Sequence, residues 1–232
     1  MKIIIDDQGN KHLWKQGDLH LSQGVVREKD IKDGIITTHL GKKLIVFDAY
    51  FVDLLTHIKR GPAIILPKDI GSIIAYTGIH KKSKIVDAGS GCGVLAGFLG
   101  RISDYVTTYE KSKEFFEIAK KNIEFLESKV KIKHKDIYEG ISEKNLDVIT
   151  LDLLEPWNVI KHAQKSLKSG GFLVSYMTNI HQVMTFVEHL QGFYLERVLE
   201  TFEREWIVEG KKVRPVHHMI GHTGFIVFSR RI

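Results

Sequence analysis

A glycine triplet between a strand-like and a helix-like segment constrains the fold of this chain more than any other feature. The triplet lies in Gly89-Ser90-Gly91-Cys92-Gly93, which follows the short strand-like run 84–87 and precedes the apolar segment 94–100. Glycines at such a turn let the backbone approach a ligand, and the unpaired N–H groups at the start of a helix can bind its polar groups. The pattern predicts a nucleotide-binding turn inside a β-α unit.

The chain around and beyond this turn alternates between strand and helix patterns. Strands are predicted at 84–87, 105–110, 129–136, 146–152 and 172–176, and helices at 94–100, 113–126 and 158–167. The last helix is followed by Ser169-Gly170-Gly171, which is typical of a helix end. Alternation of this kind indicates a doubly wound parallel sheet, so we predict a Rossmann-like α/β domain over residues 59–232.

The first 58 residues have a different pattern from the rest of the chain. Two apolar triplets, 3–5 and 12–14, flank a turn-forming segment at 7–10, and further glycines separate short segments that follow. Such spacing is typical of a small β-structure. A helical pattern at 53–60 then ends at Gly61-Pro62. We therefore predict a small N-terminal β-domain at 1–58, with the boundary near Lys59.

The spacing of the glycines distinguishes between two classes of cofactor. A dinucleotide-binding turn follows the pattern Gly-x-Gly-x-x-Gly and would need glycine at position 94, where this chain has Val94. The observed Gly-x-Gly-x-Gly is the form found in methyltransferases that use S-adenosylmethionine, which has no pyrophosphate to accommodate. A nucleotide-dependent oxidoreductase is therefore the less favoured alternative.

Four acidic residues fall at the ends of successive predicted strands. They are Asp87, Glu110, Asp136 and Asp152. The carboxyl ends of the strands line the binding crevice of an open parallel sheet. Glu110 is placed to accept hydrogen bonds from both ribose hydroxyls of an adenosine, and Asp136 from the adenine amino group. One acid at a strand end is most often a cap or a turn residue, but four acids in four such positions favour a binding site.

The composition limits the cellular setting and the cofactor chemistry. The single cysteine, Cys92, excludes an intrachain disulfide framework and a cysteine-clustered zinc site, and favours a reducing compartment. No stretch is apolar enough to predict a membrane span, and the twelve histidines show no convincing metal-ligand spacing. We expect a cytoplasmic protein with no bound metal and no membrane association.

Four segments in a fixed order carry a resemblance to a known family. They are Gly61–Gly71, the glycine triplet, Leu151–Trp157 and Met219–Phe225. Together they resemble the tRNA adenine-N1 methyltransferases that act in the T-loop, most closely the short archaeal type. The resemblance covers almost the whole chain. It implies a class I S-adenosylmethionine-dependent methyltransferase fold, a homotetramer, and methylation of N1 of a T-loop adenine at tRNA position 58, with position 57 as a second candidate.

The resemblance also implies which residues form the site. Asp152 would be the catalytic residue. The residues expected to bind S-adenosylmethionine are Asp87, Gly89, Gly91, Cys92, Gly93, Val94, Leu95, Glu110, Asp136, Ile137 and Asp152. The chain departs from the family pattern at Cys92, where serine is common, at Asp87, where glutamate is usual, and at Leu154, where proline is frequent.

The chemistry of adenine defines what Asp152 would have to do. N1 of neutral adenine carries a free lone pair, so no general base is needed before it attacks the methyl group. Catalysis then consists mainly of alignment and of stabilising the positive charge that arrives on the ring. The Asp152 carboxylate could accept from the exocyclic amine and offset that charge. Because N1 faces a pairing partner in folded tRNA, the base must be extruded first.

A tRNA substrate would require basic surface, and the sequence offers two groups of candidates. Lysines at 129, 131, 133 and 135 alternate along one predicted strand, either to contact RNA or to protect a sheet edge from aggregation. The second group consists of Arg60, Lys68, Lys211, Lys212 and Arg214.

Two other functions remain open besides the oxidoreductase. The chain could be a methyltransferase for another substrate, or a non-catalytic tRNA-binding subunit that pairs with an active partner. A non-catalytic subunit would be expected to lose the glycine triplet and the acid at position 152, and this chain keeps both.

Overall fold

Two sheets with separate hydrophobic cores organise the chain. The computed structural model describes residues 1–61 and 64–232, so Pro62 of the predicted helix break lies outside the described residues. The described chain divides into two units, Met1–Ile58 and Lys59–Ile232. Ile4, Leu44 and Val46 belong to the core of the first unit, whereas the main core of the second unit surrounds its central strands.

The first unit is mostly antiparallel β-structure. Its elements are β1 (Lys2–Ile5), β2 (Lys11–Trp14), β3 (Leu19–Leu21), β4 (Gly24–Val26), β5 (Gly34–Thr37), β6 (Lys43–Asp48) and α1 (Phe51–Leu54). Four of the strands form one sheet in the order β2-β1-β6-β5, and β3 pairs with β4. The predicted hairpin at 7–10 is confirmed, because β1 and β2 pair across it and Asp6 accepts from the backbone N–H groups of Gln8 and Asn10.

The predicted helix at 53–60 is wrong in its position and length. The α-helix spans only Phe51–Leu54 and continues as a 3-10 turn, Leu55–His57. The Asp53 carboxylate accepts from the backbone N–H of Tyr50 at 3.0 Å, which fixes the start of the helix before the residues that carry the helical pattern.

The second unit contains a mixed seven-stranded sheet flanked by helices. Its elements are α2 (Pro67–Thr77), β7 (Lys84–Ala88), α3 (Val94–Ile102), β8 (Tyr105–Glu110), α4 (Lys113–Phe125), β9 (Val130–His134), β10 (Leu146–Asp152), α5 (Ile160–Ser166), β11 (Leu167–Met177), α6 (Ile180–Glu188), β12 (Phe193–Glu200), β13 (Trp206–Glu209), β14 (Lys212–Pro215) and β15 (Phe225–Arg231). The sheet order is β12-β15-β11-β10-β7-β8-β9. The predicted Rossmann-like α/β fold is confirmed.

Strand direction changes only at one end of this sheet. The pairs from β11 through β9 are parallel, whereas β15 runs antiparallel to both β11 and β12. The chain enters the sheet at β7 and then places β8 on one side of it and β10 on the other. This is a topological switch point, where ligands bind in open α/β sheets.

The predicted helix end at Ser169-Gly170-Gly171 is wrong. The helix already ends at Ser166, and these residues lie within β11. The register jumps there from Leu146 opposite Leu167 to Val148 opposite Phe172. Gly170 adopts a φ of 75°, which favours glycine. The two glycines therefore form a bulge in a strand, which resembles a helix end at the level of sequence.

The predicted lysine-rich strand is the edge strand β9. Its apolar residues Val130 and Ile132 pack against a small core of Ala96, Ala119 and Ile123, so its lysines lie on the other face. Lys133 pairs with Glu143 at 2.5 Å and Lys129, just before the strand, with Asp104 at 2.8 Å. Among the described residues, no helix is both long and apolar enough to cross a membrane.

Candidate active site

A cavity of about 510 Å³ opens at the carboxyl ends of the central strands. Nine of the eleven predicted site residues line it: Gly89, Gly91, Cys92, Val94, Leu95, Glu110, Asp136, Ile137 and Asp152. Asp87 and Gly93 are not among its lining residues. The cavity therefore brings together segments from four different β-α connections.

The glycine turn between β7 and α3 is held by its neighbours on both sides. The backbone N–H of Gly89 donates to the carbonyl of Asp152 at 3.2 Å, and that of Ser90 donates to the carbonyl of Tyr109 at 3.0 Å. Gly93 has a φ of 85°, and a side chain there would begin 3.2 Å from Ile123. Gly93 is thus needed for the turn and for the approach of α3 to α4.

Glu110 ends β8 and is largely buried, with 7% of its surface exposed. Its carboxylate accepts from the backbone N–H of Gly91 at 3.0 Å and from that of Ser112 at 2.9 Å. An ionised carboxylate has about four lone-pair positions, so acceptor capacity remains for a ligand. In the protein itself, Glu110 joins the end of its strand to the glycine turn.

Asp87 lies beneath the cavity rather than in its wall. It is 1% exposed and accepts from the hydroxyls of Thr108 at 2.6 Å and Thr150 at 2.7 Å. Burial raises the pKa of Asp87 to about 6, opposed by the two hydrogen bonds, and the charge of Glu110 raises it further. Its direct contacts are to the strands on either side of β7.

Asp152 ends β10 and lines the cavity. Burial, and to a smaller extent the charge of Asp87, raise the pKa of Asp152 to about 7. Among the described residues, nothing donates a hydrogen bond to its carboxylate. An acid with a strongly raised pKa and an unused acceptor in a cavity is a characteristic feature of functional sites.

Asp136 and Ile137 follow the edge strand. Asp136 begins a 3-10 turn, and one oxygen of its carboxylate accepts from the backbone N–H of Tyr138 at 2.9 Å. Ile137 is 3% exposed and adds apolar surface to the cavity wall.

Three aromatic residues of the wall were not predicted as site residues: Tyr109, Phe115 and Tyr138. Phe115 lies in the first turn of α4, and Tyr138 follows Ile137. The Tyr138 hydroxyl accepts from the backbone N–H of Glu155 at 3.3 Å, and the Lys111 ammonium lies 5.5 Å from the centre of the Tyr138 ring. For Tyr138, the sequence signal was its position two residues after Asp136, the acid at the end of a predicted strand.

The basic residues predicted to contact RNA are not all exposed on the surface. Lys68 does not project into solvent, because its side chain is only 9% exposed and pairs with Asp69. Arg60, Lys211 and Lys212 are exposed, and Arg214 donates to the backbone carbonyl of Pro215. Lys68 is therefore wrong as a predicted surface contact.

The histidines form no cluster that suggests a metal. Within 1–61 and 64–232, no three side chains of histidine, cysteine, aspartate or glutamate are arranged to hold an ion. His222 instead forms a hydrogen-bonded pair with Glu200 at 2.5 Å.

The glycine turn at the switch point and the acids around it define a class I methyltransferase fold. A solved S-adenosylmethionine-dependent O-methyltransferase from Thermotoga maritima superposes with a TM-score of 0.88 and 28% identity, covering 100% of this chain and 92% of that one. The family model described as tRNA methyltransferase complex GCD14 subunit matches residues 53–214, and the chain belongs to this family.

Two curated relatives extend the similarity over nearly the whole chain. The tRNA (adenine(57)-N(1)/adenine(58)-N(1))-methyltransferase TrmI of Methanocaldococcus jannaschii is 36% identical, covering 99% of this chain and 94% of that protein. The tRNA (adenine(58)-N(1))-methyltransferase TrmI of Thermus thermophilus is 34% identical over 99% and 96%. The family resemblance carried by the sequence motifs is thereby confirmed.

Proposed function

We propose that this chain transfers a methyl group from S-adenosylmethionine to N1 of adenine in the T-loop of tRNA, at position 58 and, as a second candidate, position 57. The observation that carries the proposal is the Asp152 carboxylate, which faces the same cavity as the glycine turn and has no hydrogen-bond donor among the described residues. The names of the two curated relatives support the choice of substrate. We assign catalysis to residues 59–232 and treat 1–58 as a small β-domain.

The cavity has two sides in this proposal. The donor side comprises the glycine turn 89–93, Glu110, Asp136 and Ile137. The acceptor side is the part of the cavity around Asp152. The donor side fits an adenosine, because Glu110 and Asp136 keep unused carboxylate lone pairs and Ile137, Val94 and Leu95 supply apolar surface. Asp87 would act indirectly, through the strand end that carries the turn.

S-adenosylmethionine supplies a methyl group on a cationic sulfur, so that transfer breaks a C–S bond, forms a C–N1 bond and moves the positive charge to the purine. Asp152 then accepts from the exocyclic amine, orients the ring and offsets the arriving charge. Its raised pKa makes the ionised form available only near and above neutral pH. No proton has to leave N1, so the acceptor side needs no general base.

A methyl-transfer assay tests the proposal against its alternatives. The purified chain and labelled S-adenosylmethionine are incubated with an unmodified tRNA transcript, with the same transcript lacking the T-loop adenines, and with a mixture of proteins. We expect label only in the intact transcript. Label in proteins would indicate another substrate class, whereas no label without an added partner chain would indicate a non-catalytic subunit.

We also propose that the chain forms a homotetramer in the cytoplasm, where tRNA substrates are available. The hairpin β13–β14 leaves a row of apolar residues uncovered: Trp206, Val208 and Val213 are 58%, 71% and 60% exposed, and Val208 lies opposite Val213. A two-stranded hairpin needs packing to be stable. Val208→Lys should lower the mass measured by light scattering, whereas Lys212→Met on the same hairpin should not.

The exposed basic residues are the proposed RNA contacts. Lys131 is exposed on the edge strand β9, and Lys211 and Lys212 lie at the hairpin turn. Replacing such a lysine should raise the KM for tRNA and weaken its dependence on salt.

A further inference from the structure

A buried lysine in the first turn of α2 is the most unusual charged group of the second unit. Lys68 is 9% exposed and Asp69 is not exposed at all. The start of a helix is its positive end, so a cation there is unfavourable, and removing it from water adds to the cost. This placement therefore needs strong compensation from neighbouring groups.

The compensation comes from two threonines that are distant in sequence. The Lys68 ammonium lies 2.9 Å from the Asp69 carboxylate, 2.9 Å from the carbonyl of Thr201 and 2.7 Å from the hydroxyl of Thr223. The Thr201 hydroxyl donates to one oxygen of Asp69, and the Thr223 hydroxyl donates to the other at 2.9 Å. These four residues form the Lys68 cluster.

The Lys68 cluster joins the two ends of the segment that connects β12 to β15. Thr201 follows β12 and Thr223 precedes β15, and the segment between them, 202–222, contains the hairpin β13–β14. Glu200 and His222, which are adjacent to these threonines in sequence, form a second connection between the two ends. His222 contacts the Glu200 carboxylate at 2.5 Å through Nδ1 and the carbonyl of Thr178 at 2.8 Å through Nε2.

The two partners of His222 favour its charged form. A backbone carbonyl and an ionised carboxylate can only accept, and only the imidazolium donates from both ring nitrogens. Glu200 first, and the carbonyl of Thr178 second, raise the pKa of His222, while burial and the charge of Lys68 oppose them. The segment 202–222 is thus anchored at both ends by charged groups.

The Lys68 cluster also reaches the acceptor side of the cavity. Tyr176 lies beside Asp152 in the sheet and is hydrogen-bonded to Thr223. Burial raises the pKa of Tyr176, the hydrogen bond from Thr223 opposes this, and the charges of Asp69 and Asp152 raise the pKa further. Gly224 makes this contact possible, because a side chain there would begin 2.5 Å from the Tyr176 ring. Thr223 and Tyr176 therefore connect Lys68 with the pair of strand ends that carries Asp152.

We propose that Lys68 is a positioning residue: with Asp69 it fixes the ends of segment 202–222 and, through Thr223 and Tyr176, it holds the acceptor side of the cavity beside Asp152. The role rests on the proposed methyl transfer. Lys68 in this role contacts neither RNA nor S-adenosylmethionine. Its loss should impair turnover and leave the binding of both substrates nearly unchanged.

The test compares Lys68→Met with Lys161→Met, which removes an exposed lysine of α5 that has no role in the site or in the proposed RNA contacts. For Lys68→Met we expect kcat to fall by about tenfold or more, because small misplacements at a reacting centre have large effects. The KM for tRNA and the affinity for S-adenosylhomocysteine should each stay within about twofold of wild type. Asp69→Asn, which is nearly isosteric, should behave alike and serves if Lys68→Met does not fold.

A double-mutant cycle distinguishes positioning from general destabilisation. Tyr176→Phe keeps the ring and removes the hydroxyl that contacts Thr223. If Lys68 acts through this contact, the two losses in kcat should be clearly less than multiplicative in the double variant. Multiplicative losses, or parallel losses in kcat and cofactor affinity, would overturn the proposal. A raised KM with unchanged kcat would identify Lys68 as an RNA contact instead.

The role of Lys68 can be tested even if the protein does not methylate tRNA. If the wild-type protein transfers no methyl group to tRNA, the proposed function fails, and hydrogen exchange then tests the cluster alone. Segment 202–222 and the end of β11 should exchange faster in Lys68→Met than in Lys161→Met. Equal exchange in the two variants would show that Lys68 does not hold this segment.

Discussion

The donor and acceptor sides of the cavity are built in different ways. On the donor side, the contacts span shorter stretches of the chain: Glu110 binds the N–H of Gly91 across 19 positions, and the N–H of Gly89 binds the carbonyl of Asp152 across 63. On the acceptor side, Lys68 meets Thr201 and Thr223 across 133 and 155 positions. The donor side is thus a local β-α-β structure, whereas the acceptor side exists only after distant segments have assembled.

This difference separates two tasks that a methyltransferase has to perform. A local structure can present backbone N–H groups and carboxylates to a small cofactor without help from the rest of the chain. The acceptor side is assembled from helix α2, strand ends and segment 202–222. Substitutions there can change it without disturbing cofactor binding. Substitutions on the two sides should therefore affect different measured quantities.

The largest effect is expected at Asp152. Asp152→Asn keeps the shape but cannot offset positive charge on the purine, so turnover should fall by about a thousandfold, as for the loss of one strong electrostatic contact. The affinity for S-adenosylhomocysteine, measured by calorimetry, should change by less than about threefold. Glu155→Gln, in the same loop, is the control. Near-normal turnover in Asp152→Asn would contradict the assignment of methyl transfer to the acceptor side.

Glu110→Gln should produce the opposite result. The neutral side chain keeps one acceptor but loses the charge that strengthens hydrogen bonds to hydroxyls, so affinity for S-adenosylhomocysteine should fall by about 10- to 100-fold. With saturating donor, kcat should recover most of its wild-type value. Glu114→Gln, an exposed acid of α4, should change neither quantity. A kcat that stays low at saturation would place Glu110 in the transfer step itself.

The pH dependence should report the acceptor side. Because the pKa of Asp152 is raised to about 7, its carboxylate is protonated below that pH, and kcat/KM should fall about tenfold from pH 8 to pH 6. Asp87→Asn removes a like charge and should shift the midpoint to lower pH. A profile that is flat through this range would show that the ionised Asp152 is not required.

The smallest effect concerns stability. The pKa of Asp152 is about 7 in the folded chain and 3.8 in the reference state, so its ionised form is disfavoured on folding and the free energy of unfolding falls as pH rises between these values. Asp152→Asn should therefore raise the Tm at pH 8, and raise it by less at pH 5. Equal shifts at both pH values would contradict a buried, uncompensated charge.

The same comparison explains what the sequence could predict. Strands β8 and β10 have the predicted ends, 105–110 and 146–152, because each is a short buried strand next to strong turn signals. The position of Glu110 and of the glycine turn at one edge of the sheet follows from this local pattern. These predictions require no knowledge of distant contacts.

The failures concern long-range structure. Lys68 looks like a surface cation in the sequence, since nothing near it indicates the two threonines that meet its ammonium. Gly170 and Gly171 look like a helix end, and only the pairing of β10 with β11 turns them into a bulge. Tyr138 becomes part of the cavity wall because the loop after Asp152 folds over its hydroxyl.

Mapping the modified nucleotide is the most direct test of the central claim. Unmodified tRNA is incubated with the purified chain and S-adenosylmethionine, digested, and analysed by mass spectrometry. The account predicts N1-methyladenosine in the T-loop fragment and in no other fragment, and its loss with Asp152→Asn. An unmethylated T-loop, or a methyl group on a different atom or base, would contradict the account.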